Sequence, residues 1–278
     1  MEISHLPAFI ASYVNFCPII NSTIDMSITT RLIRHYLKYH SRYELSEKQQ
    51  RLPTPTFDNI KLVLALYKIT YPCATYLQIG AYDGQTDDPA SEYVLAGNMR
   101  CLLVEPIEES FQELRRLYDG RPNVHLMQAA IGHSDGITTM FKVKQSSPRY
   151  GKPTGGLTSF DRGHLLKHGI REEDIESVNV ACLTLKSLLA KFHLEKVDVL
   201  QIDTEGFDAE IVKMALALPH TPECINFENL HLSLEAKTEL YDLLSKDGYL
   251  YSHDKFNTMA LHRRLTDALL TGAGERKA

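Results

Sequence analysis

The stretch that most constrains this chain is Tyr76-Leu-Gln-Ile-Gly-Ala-Tyr-Asp-Gly84. Its first half is typical of a buried strand, and two glycines then bracket a turn that leads into a helix. Gly80 has no Cβ, so the backbone can approach a ligand at which the next helix points its N-terminus. This order of strand, turn and helix builds nucleotide pockets in α/β proteins. The alternative is a tight turn that binds nothing.

The spacing of the glycines separates two classes of cofactor. A dinucleotide site requires G-x-G-x-x-G, so that the backbone can approach the pyrophosphate. Here three residues separate Gly80 from Gly84, and one of them is Asp83, which would repel a pyrophosphate. S-adenosylmethionine carries a sulfonium and an amino group but no phosphate. The pattern therefore favours S-adenosylmethionine over NAD.

Composition sets the class of protein and its expected compartment. The 278 residues allow one large domain with an extension, and a net charge of −5 gives no overall basic field for nucleic acid. The 5 cysteines are scattered and form no C-x-x-C, which argues against a zinc site or a disulfide framework. We find no membrane span and no basic segment of a signal peptide. These features predict a cytoplasmic protein.

The chain divides into three predicted parts. Residues 1–56 form a helical extension that ends in a proline-containing linker, residues 57–265 form the main domain, and residues 266–278 form a polar tail. The apolar stripe of the extension needs a partner, either the main domain or a second subunit, so a homodimer stays open. The extension is either a lid for substrate docking or a packing element, and the second interpretation is favoured.

Helices and strands alternate through the main domain, which predicts an α/β fold. Asp88 and Ser233 are the predicted N-caps of two helices that begin at the next residue, and 136–143 and 177–185 are predicted extended runs. The apolar run from Val197 to Ile202 is typical of a central parallel strand. At the end of the domain, 249–252 and 258–262 form a hairpin without a helical crossover. We therefore predict a Rossmann-like, mostly parallel sheet whose last strand is antiparallel.

Acidic residues follow three of the predicted strands. Glu105 ends the second strand, where a carboxylate can accept hydrogen bonds from ribose hydroxyls. Asp203 and Glu205 follow the fourth strand, and Glu228 ends the fifth, with His231 close behind. Ligands of open α/β sheets bind at the carboxyl ends of the strands. We expect these side chains to meet at that edge.

Five motifs, in matching order and spacing, resemble those of the FkbM family of S-adenosylmethionine-dependent methyltransferases, whose sheet is of the class I type. They are Gln78-Ile-Gly-Ala-Tyr-Asp-Gly84 for D-V-G-A-N-x-G, Leu103-Val-Glu-Pro106 for V-E-P, Leu183-Thr-Leu-Lys-Ser-Leu188 for L-T-L-D-S-L, Val197-Asp-Val-Leu-Gln-Ile-Asp-Thr-Glu-Gly-Phe207 for I-D-L-L-K-I-D-V-E-G-F/Y, and Glu228. The departures are Gln78 for Asp, Tyr82 for Asn, Lys186 for Asp and Gln201 for Lys. Gln78 removes a carboxylate near the methionine amino group, and Asp83 is the predicted substitute.

The resemblance implies methyl transfer to oxygen, on a sugar, a glycolipid or another secondary metabolite. It also implies that residues 144–159 face the substrate as a lid. The predicted cofactor-binding residues are Gln78, Gly80, Ala81, Asp83, Glu105, Pro106, Ala129, Ala130 and Asp203. The two alanines either lie against adenine or allow close packing of strand and helix.

An alcohol keeps its proton at neutral pH, so the reaction needs a base or a metal. Asp203 is predicted to lie nearest the methyl group, and Glu228 or His231 to take the proton. The three carboxylates Asp203, Glu205 and Glu228 either bind Mg²⁺ or act as a base and its orienting partners. Alternatively, Glu205 is a helix-terminal acid and His231 a surface residue. The remaining candidates are His164 and His168.

Two other functions remain open. A nicotinamide-dependent oxidoreductase is disfavoured because G-x-G-x-x-G is missing. A non-catalytic scaffold or sensor with this fold is suggested by Gln78 alone, since the family carries aspartate there.

Overall fold

The structure of the protein is a computed structural model. It describes residues 59–71, 73–86, 88, 90–96, 99–147, 150 and 156–265. The predicted extension with its linker (residues 1–56) and the predicted tail (residues 266–278) lie outside the described residues. The described part of the main domain begins at Asn59. None of the helices in these ranges has the length and apolar character needed to cross a bilayer.

Strands and helices alternate along the described chain. The strands are β1 (Thr75–Ile79), β2 (Arg100–Val104), β3 (Val124–Met127), β4 (Ala130–Ile131), β5 (Gly136–Val143), β6 (Thr158–Ser159), β7 (Ile175–Leu183), β8 (Val199–Ile202), β9 (Cys224–Glu228), β10 (Tyr249–His253) and β11 (Asn257–His262). The helices are α1 (Asn59–Thr70), α2 (Ser91–Ala96), α3 (Glu108–Tyr118), α4 (Arg162–Lys167), α5 (Leu185–Lys191), α6 (Asp208–Leu216) and α7 (Leu234–Lys246). A 3₁₀ turn spans Glu172–Asp174.

Seven strands form the main sheet in the order β10-β11-β9-β8-β1-β2-β3. Strands β3, β2, β1, β8 and β9 are parallel neighbours, whereas β11 runs antiparallel to both β9 and β10. The short loop between β10 and β11 cannot make a parallel crossover, which is why the chain reverses there. The predicted α/β sheet with an antiparallel last strand is confirmed.

The core of the main sheet forms around its central strands. All residues of β1 and β8 are buried, as expected for parallel strands covered on both faces. Leu77 and Leu200, which pair across these strands, are at most 1 % exposed. Burial of each such side chain contributes about 1.5–3 kcal/mol. This packing fixes the strand ends from which the site is built.

The register of the central strands brings four site residues into one row. Ile79 pairs with Val104 on one side and with Ile202 on the other, and Ile202 pairs with Phe227. The next residue of each strand or loop is therefore at the same level, and these residues are Gly80, Glu105, Asp203 and Glu228. The expectation that the acidic residues share one edge of the sheet is confirmed.

A second sheet, which we did not predict, contains four strands in the order β4-β7-β5-β6. Strands β5 and β7 pair antiparallel from Gly136 with Cys182 to Val143 with Ile175. The sequence predicted both extended runs but not that they pair with each other. Strand β7 begins at Ile175, two residues before the predicted start at Ser177. Helix α4 was also not predicted.

Two helix starts test the predicted caps. Ser233 caps α7 as predicted, because its hydroxyl accepts a hydrogen bond from the amide of Ala236 at 3.2 Å. Helix α2 begins at Ser91 rather than at position 89. Ahead of it, the Asp88 carboxylate accepts a hydrogen bond from the amide of Ala90 at 2.7 Å. Asp88 therefore accepts the kind of backbone hydrogen bond that the predicted cap requires, although the helix itself begins later than predicted.

Candidate active site

Gly80 brings the ends of β1 and β8 into direct contact. Its φ of +82° lies in the left-handed region that favours glycine. A Cβ at this position would lie 1.7 Å from the carbonyl oxygen of Asp203, so no other residue fits without a backbone shift. The sequence predicted that Gly80 lets a ligand approach the backbone. In the structure Gly80 also lets the ends of β1 and β8 approach each other.

A cavity of about 180 Å³ opens at this edge of the sheet. Eight of the nine predicted cofactor-binding residues line it, namely Gln78, Gly80, Ala81, Glu105, Pro106, Ala129, Ala130 and Asp203. The wall also includes Asp88, Gln201, Glu205 and Phe160, and strand β6 contributes Thr158. The cavity therefore lies between the main sheet and the second sheet.

Glu105 is held by the backbone around it. One carboxylate oxygen accepts a hydrogen bond from the amide of Tyr82 at 3.0 Å, and the other accepts one from the amide of Ile107 at 2.9 Å. Burial raises the pKa of Glu105 to about 7, although these two hydrogen bonds act in the opposite direction. The carboxylate is therefore fixed in place, and each oxygen keeps a lone pair for a ligand.

Asp83 is the predicted cofactor residue that does not line the cavity. Its carboxylate accepts hydrogen bonds from the amides of Gln85 and Thr86 and from the Thr86 hydroxyl, at 2.6–2.9 Å. These hydrogen bonds hold its pKa below the usual value, although burial acts in the other direction. Asp83 closes its own turn, as aspartate often does.

Asp88 supplies a carboxylate that our sequence analysis assigned only to a helix cap. It lines the cavity with Gln78. Among the described residues, its Oδ2 atom is buried and has no hydrogen-bond partner, and burial raises its pKa to about 6. The position of Asp88 just before a short helix was the available signal. Its orientation toward the cavity depends on the turn that precedes it.

Asp203 follows directly after β8 and lines the cavity. Its side chain is exposed toward the cavity, yet desolvation by the protein around the cavity raises the pKa of its carboxyl to about 7. The carboxylates of Asp208 and Glu205 raise it further. Asp203 therefore belongs to an acidic region that favours a bound cation over a phosphate.

Glu228 and His231 form a close pair beside this acidic region. The Nε2 atom of His231 lies 3.4 Å from Oε2 of Glu228 and 3.6 Å from Oε2 of Glu205. Within the described chain, Oε2 of Glu228 makes no hydrogen bond. Burial and the carboxylates of Asp203 and Glu205 raise the pKa of Glu228 to about 8. Burial and the nearby His164 lower the pKa of His231, which favours the neutral form of its imidazole.

Three histidines and one glutamate converge next to that pair. In the part of the chain that the structure describes, one group of potential metal ligands brings its ligand atoms within 4.8 Å of one another, and it consists of His164, His168, Glu205 and His231. Of the three carboxylates predicted as Mg²⁺ ligands, only Glu205 belongs to it. The sequence signal was the spacing of His164 and His168, four residues apart on α4 and its C-terminal cap.

The end of the predicted lid reaches the cavity. Gly156 and Thr158 line it, and a Cβ on Gly156 would lie 3.6 Å from the ring of Tyr82. The Ser159 hydroxyl donates a hydrogen bond to the carbonyl of Glu205 at 2.8 Å, which ties β6 to the loop after β8. Residues 148, 149 and 151–155 of the predicted lid lie outside the described residues.

Comparison with protein families identifies the group of proteins to which this chain is related. The sequence model described as the methyltransferase FkbM domain matches residues 78–251, which is more than half of the chain. The chain belongs to the FkbM methyltransferase family. FkbM domains are a family of S-adenosylmethionine-dependent methyltransferases, so the resemblance inferred from the five motifs is confirmed.

Solved structures similar to this FkbM domain include a methyltransferase FkbM from Methylobacillus flagellatus, with 14% identity and a TM-score of 0.43 over 69% of this chain and 44% of that one. The chain thus spans less than half of that protein. An O-methyltransferase from Bacillus cereus solved with SAH has 13% identity and a TM-score of 0.38, over 91% and 97% of the two chains. A fibrillarin from Methanococcus jannaschii has 13% identity and a TM-score of 0.38, over 73% and 74%. Comparison with curated proteins gave no significant match.

Proposed function

We propose that this FkbM domain transfers the methyl group of S-adenosylmethionine to a hydroxyl oxygen of a small polar acceptor, such as a sugar, a glycolipid or another secondary metabolite. The observation that carries the proposal is the pair formed by Glu228 and His231, 3.4 Å apart, at the edge where the cofactor cavity opens. An imidazole beside the carboxyl group of Glu228 is placed to take the proton that an alcohol must lose.

The cavity offers a place for each polar part of the cofactor. The fixed carboxylate of Glu105 would accept hydrogen bonds from the ribose hydroxyls. Asp88, with its unpartnered oxygen, would receive the methionine amino group in place of the aspartate that Gln78 replaces. Ala129 and Ala130 are small and buried, and would let the adenine ring lie flat against the backbone.

The acidic wall supports a cationic cofactor. Asp88, Asp203 and Glu205 all face the cavity. The sulfonium of S-adenosylmethionine would lower the free energy of their ionised forms, whereas the pyrophosphate of NAD would raise it. The same region therefore disfavours the nicotinamide interpretation.

The reaction needs little beyond position and proton removal. The hydroxyl oxygen forms a bond to the methyl carbon as the carbon–sulfur bond breaks, and S-adenosylhomocysteine leaves as a neutral thioether. Holding the two reactants in line accounts for much of the rate. The hydroxyl proton passes to His231 or, through it, to Glu228, and Asp203 lies nearest the transferred methyl group.

Calorimetric titration of the full chain with S-adenosylhomocysteine, with NAD⁺ as the control and EDTA present, tests the cofactor assignment. We expect micromolar binding of the first ligand and none of the second. A panel of hydroxyl, amine and carboxylic acid acceptors with radiolabelled S-adenosylmethionine then tests the reaction type. Label on the hydroxyl acceptors alone is the expected result.

The scaffold interpretation makes the opposite prediction. A folded protein that binds neither S-adenosylmethionine nor S-adenosylhomocysteine would mean that Gln78 has removed a contact that Asp88 does not replace. In that case the fold would serve as a binding or regulatory module rather than as an enzyme.

A further inference from the structure

We propose that His164, His168, His231 and Glu205 form a binding site for a divalent transition-metal ion of the Zn²⁺ class. Their ligand atoms all lie within 4.8 Å of one another. Three imidazole nitrogens and one carboxylate oxygen are a common ligand set for Zn²⁺ and for neighbouring ions such as Co²⁺ and Mn²⁺. Mg²⁺ prefers oxygen ligands and water, so this set does not favour it.

The four ligands come from three separate segments of the chain. His164 and His168 are four residues apart at the end of α4, which is the helical spacing that places two imidazoles on one face. Glu205 lies in the loop after β8, and His231 lies in the loop after β9. Long-range packing rather than local sequence therefore creates the site.

The rings are already grouped at distances that suit one ion. The ring centroids of the three histidines are 4.5–4.8 Å apart, in tilted or edge-on orientations. The Nε2 atom of His164 lies 3.0 Å from Oε2 of Glu205, and that of His231 lies 3.6 Å from the same oxygen. A single cation at this point would be shared by three imidazole nitrogens and the Glu205 carboxylate, each of which has a lone pair to offer.

The backbone near Glu205 is shaped to allow this approach. Glu205 and Gly206 are consecutive residues with positive φ angles, +52° and +106°. A Cβ on Gly206 would lie 3.4 Å from Nδ1 of His164, so a side chain there would press on the ring. The left-handed turn thus presents Glu205 to the histidines and keeps space for His164.

The charge around the cluster also favours a cation. Glu228 lies 3.4 Å from His231, and its buried Oε2 has no hydrogen-bond partner among the described residues. Asp203 lines the same cavity as the ligand Glu205. A divalent ion at the cluster would lie beside these acidic side chains, which favour a cation over an anion.

The site shares Glu205 with the cofactor cavity, so a bound ion would lie at the edge of that cavity. Resting on the proposed function, we infer that the ion polarises the acceptor hydroxyl and that Glu228 takes the proton, since the nitrogen of His231 is then engaged. As in the proposed function, the oxygen–methyl bond forms while the carbon–sulfur bond breaks. The lack of a C-x-x-C motif argued against a zinc site in the sequence, but the ligands of this site are histidines and a glutamate.

Metal binding is tested on the full chain after removal of metal with a chelator. Co²⁺ is added, and the visible absorption and the stoichiometry are recorded, with Zn²⁺ competition to follow. We expect one ion per chain, with the d–d bands of a site of low coordination number. The variant His168→Ala alters an exposed side chain whose residue caps α4 through its backbone only. It should weaken binding by at least about 100-fold, since loss of an outer-shell partner alone costs about 10–100-fold.

The matched control is His220→Ala, which removes an exposed histidine outside the cluster and should leave Co²⁺ affinity unchanged. His164→Ala, checked for folding by thermal unfolding, should behave like His168→Ala. Equal Co²⁺ binding by the parent chain, His168→Ala and His164→Ala would overturn the proposal, as would no Co²⁺ binding at all.

Titration of the metal-free chain with S-adenosylhomocysteine separates this proposal from the proposed function. Cofactor binding without Co²⁺ binding would reject the metal site and leave the methyltransferase pocket in place. Co²⁺ binding without cofactor binding would retain the site and reject the proposed function.

Discussion

Glu105 and Glu228 occupy equivalent positions at the ends of two parallel strands but have opposite environments. Both oxygens of Glu105 accept backbone hydrogen bonds, from Tyr82 and Ile107. The Oε2 atom of Glu228 has no such partner in the described chain and lies instead beside His231, with three further carboxylates nearby. Glu105 is therefore held in place before any ligand binds, whereas Glu228 keeps a buried oxygen without a hydrogen bond among the described residues.

This difference indicates how the site divides its tasks. A fixed carboxylate binds tightly because no reorganisation is needed, and this suits a cofactor that every turnover requires. A buried group without a partner is costly for stability, and such groups concentrate where chemistry occurs. Four predictions, from the largest expected effect to the smallest, test this comparison.

The first prediction concerns Glu228→Gln. The variant keeps the shape of the side chain but removes the group that orients His231 or takes the proton, so turnover should fall by roughly 10²–10⁴-fold. Affinity for S-adenosylhomocysteine should stay within about twofold, because Glu228 does not line the cavity. The rate of methyl transfer and calorimetric titration measure the two effects. Full activity would remove Glu228 from the mechanism.

The second prediction concerns Gly80→Ala, which adds a Cβ at the point where the ends of β1 and β8 approach each other. A Cβ would meet the Asp203 carbonyl at 1.7 Å, so we expect a loss of roughly 3 kcal/mol or more from overpacking and backbone strain together. Gly120→Ala is the matched control, since its φ is +73° but no atom lies within 4 Å of its Cβ. That control should cost only about 1 kcal/mol. Urea unfolding compares the two, and equal losses would contradict the packing interpretation.

The third prediction concerns Glu105→Gln. The amide has one acceptor oxygen instead of two, so a backbone amide is left unpaired and the ribose loses an ionic acceptor. We expect cofactor affinity to fall by about 10–100-fold, consistent with about 1.5–3 kcal/mol for hydrogen bonds to a charged group. Glu195→Gln, at an exposed position, is the control. If calorimetry gives the two variants the same affinity, Glu105 does not contact the ribose.

The fourth prediction concerns pH. Burial raises the pKa of Glu105 from 4.5 to about 7 and that of Asp88 from 3.8 to about 6, so the folded state holds both protons more tightly than the unfolded state. Their contribution to stability is present below about pH 4 and is lost as the pH rises through 7. The free energy of unfolding without ligand should therefore fall between pH 5 and pH 8, as urea titrations would record.

Cofactor binding should respond in the opposite direction to pH. Ionised Asp88 and Glu105 interact better with the amino group and the ribose, so affinity for S-adenosylhomocysteine should increase a few-fold from pH 5 to pH 8. Glu105→Gln should flatten this dependence because it removes one of the two groups. An affinity that falls with pH would reverse the assignment of these carboxylates.

The sequence was sufficient for features that depend on near neighbours along the chain. The apolar runs of β1 and β8 predicted buried parallel strands, and Gly80 marked the turn, because a positive φ and a close approach are local requirements. The row of Gly80, Glu105, Asp203 and Glu228 followed from one rule, that parallel strands end at the same edge. The cap at Ser233 followed in the same way.

The tertiary structure alone decided which distant segments meet. The hydrogen bond between His164 and Glu205 joins residues 41 positions apart, and strand β7 pairs with β5 across the intervening lid segment. Asp88 lines the cavity in addition to accepting a backbone hydrogen bond ahead of α2, and Asp83 closes its own turn. Propensity and spacing describe a residue and its neighbours, whereas the partners of a buried polar group are set by packing between separate elements.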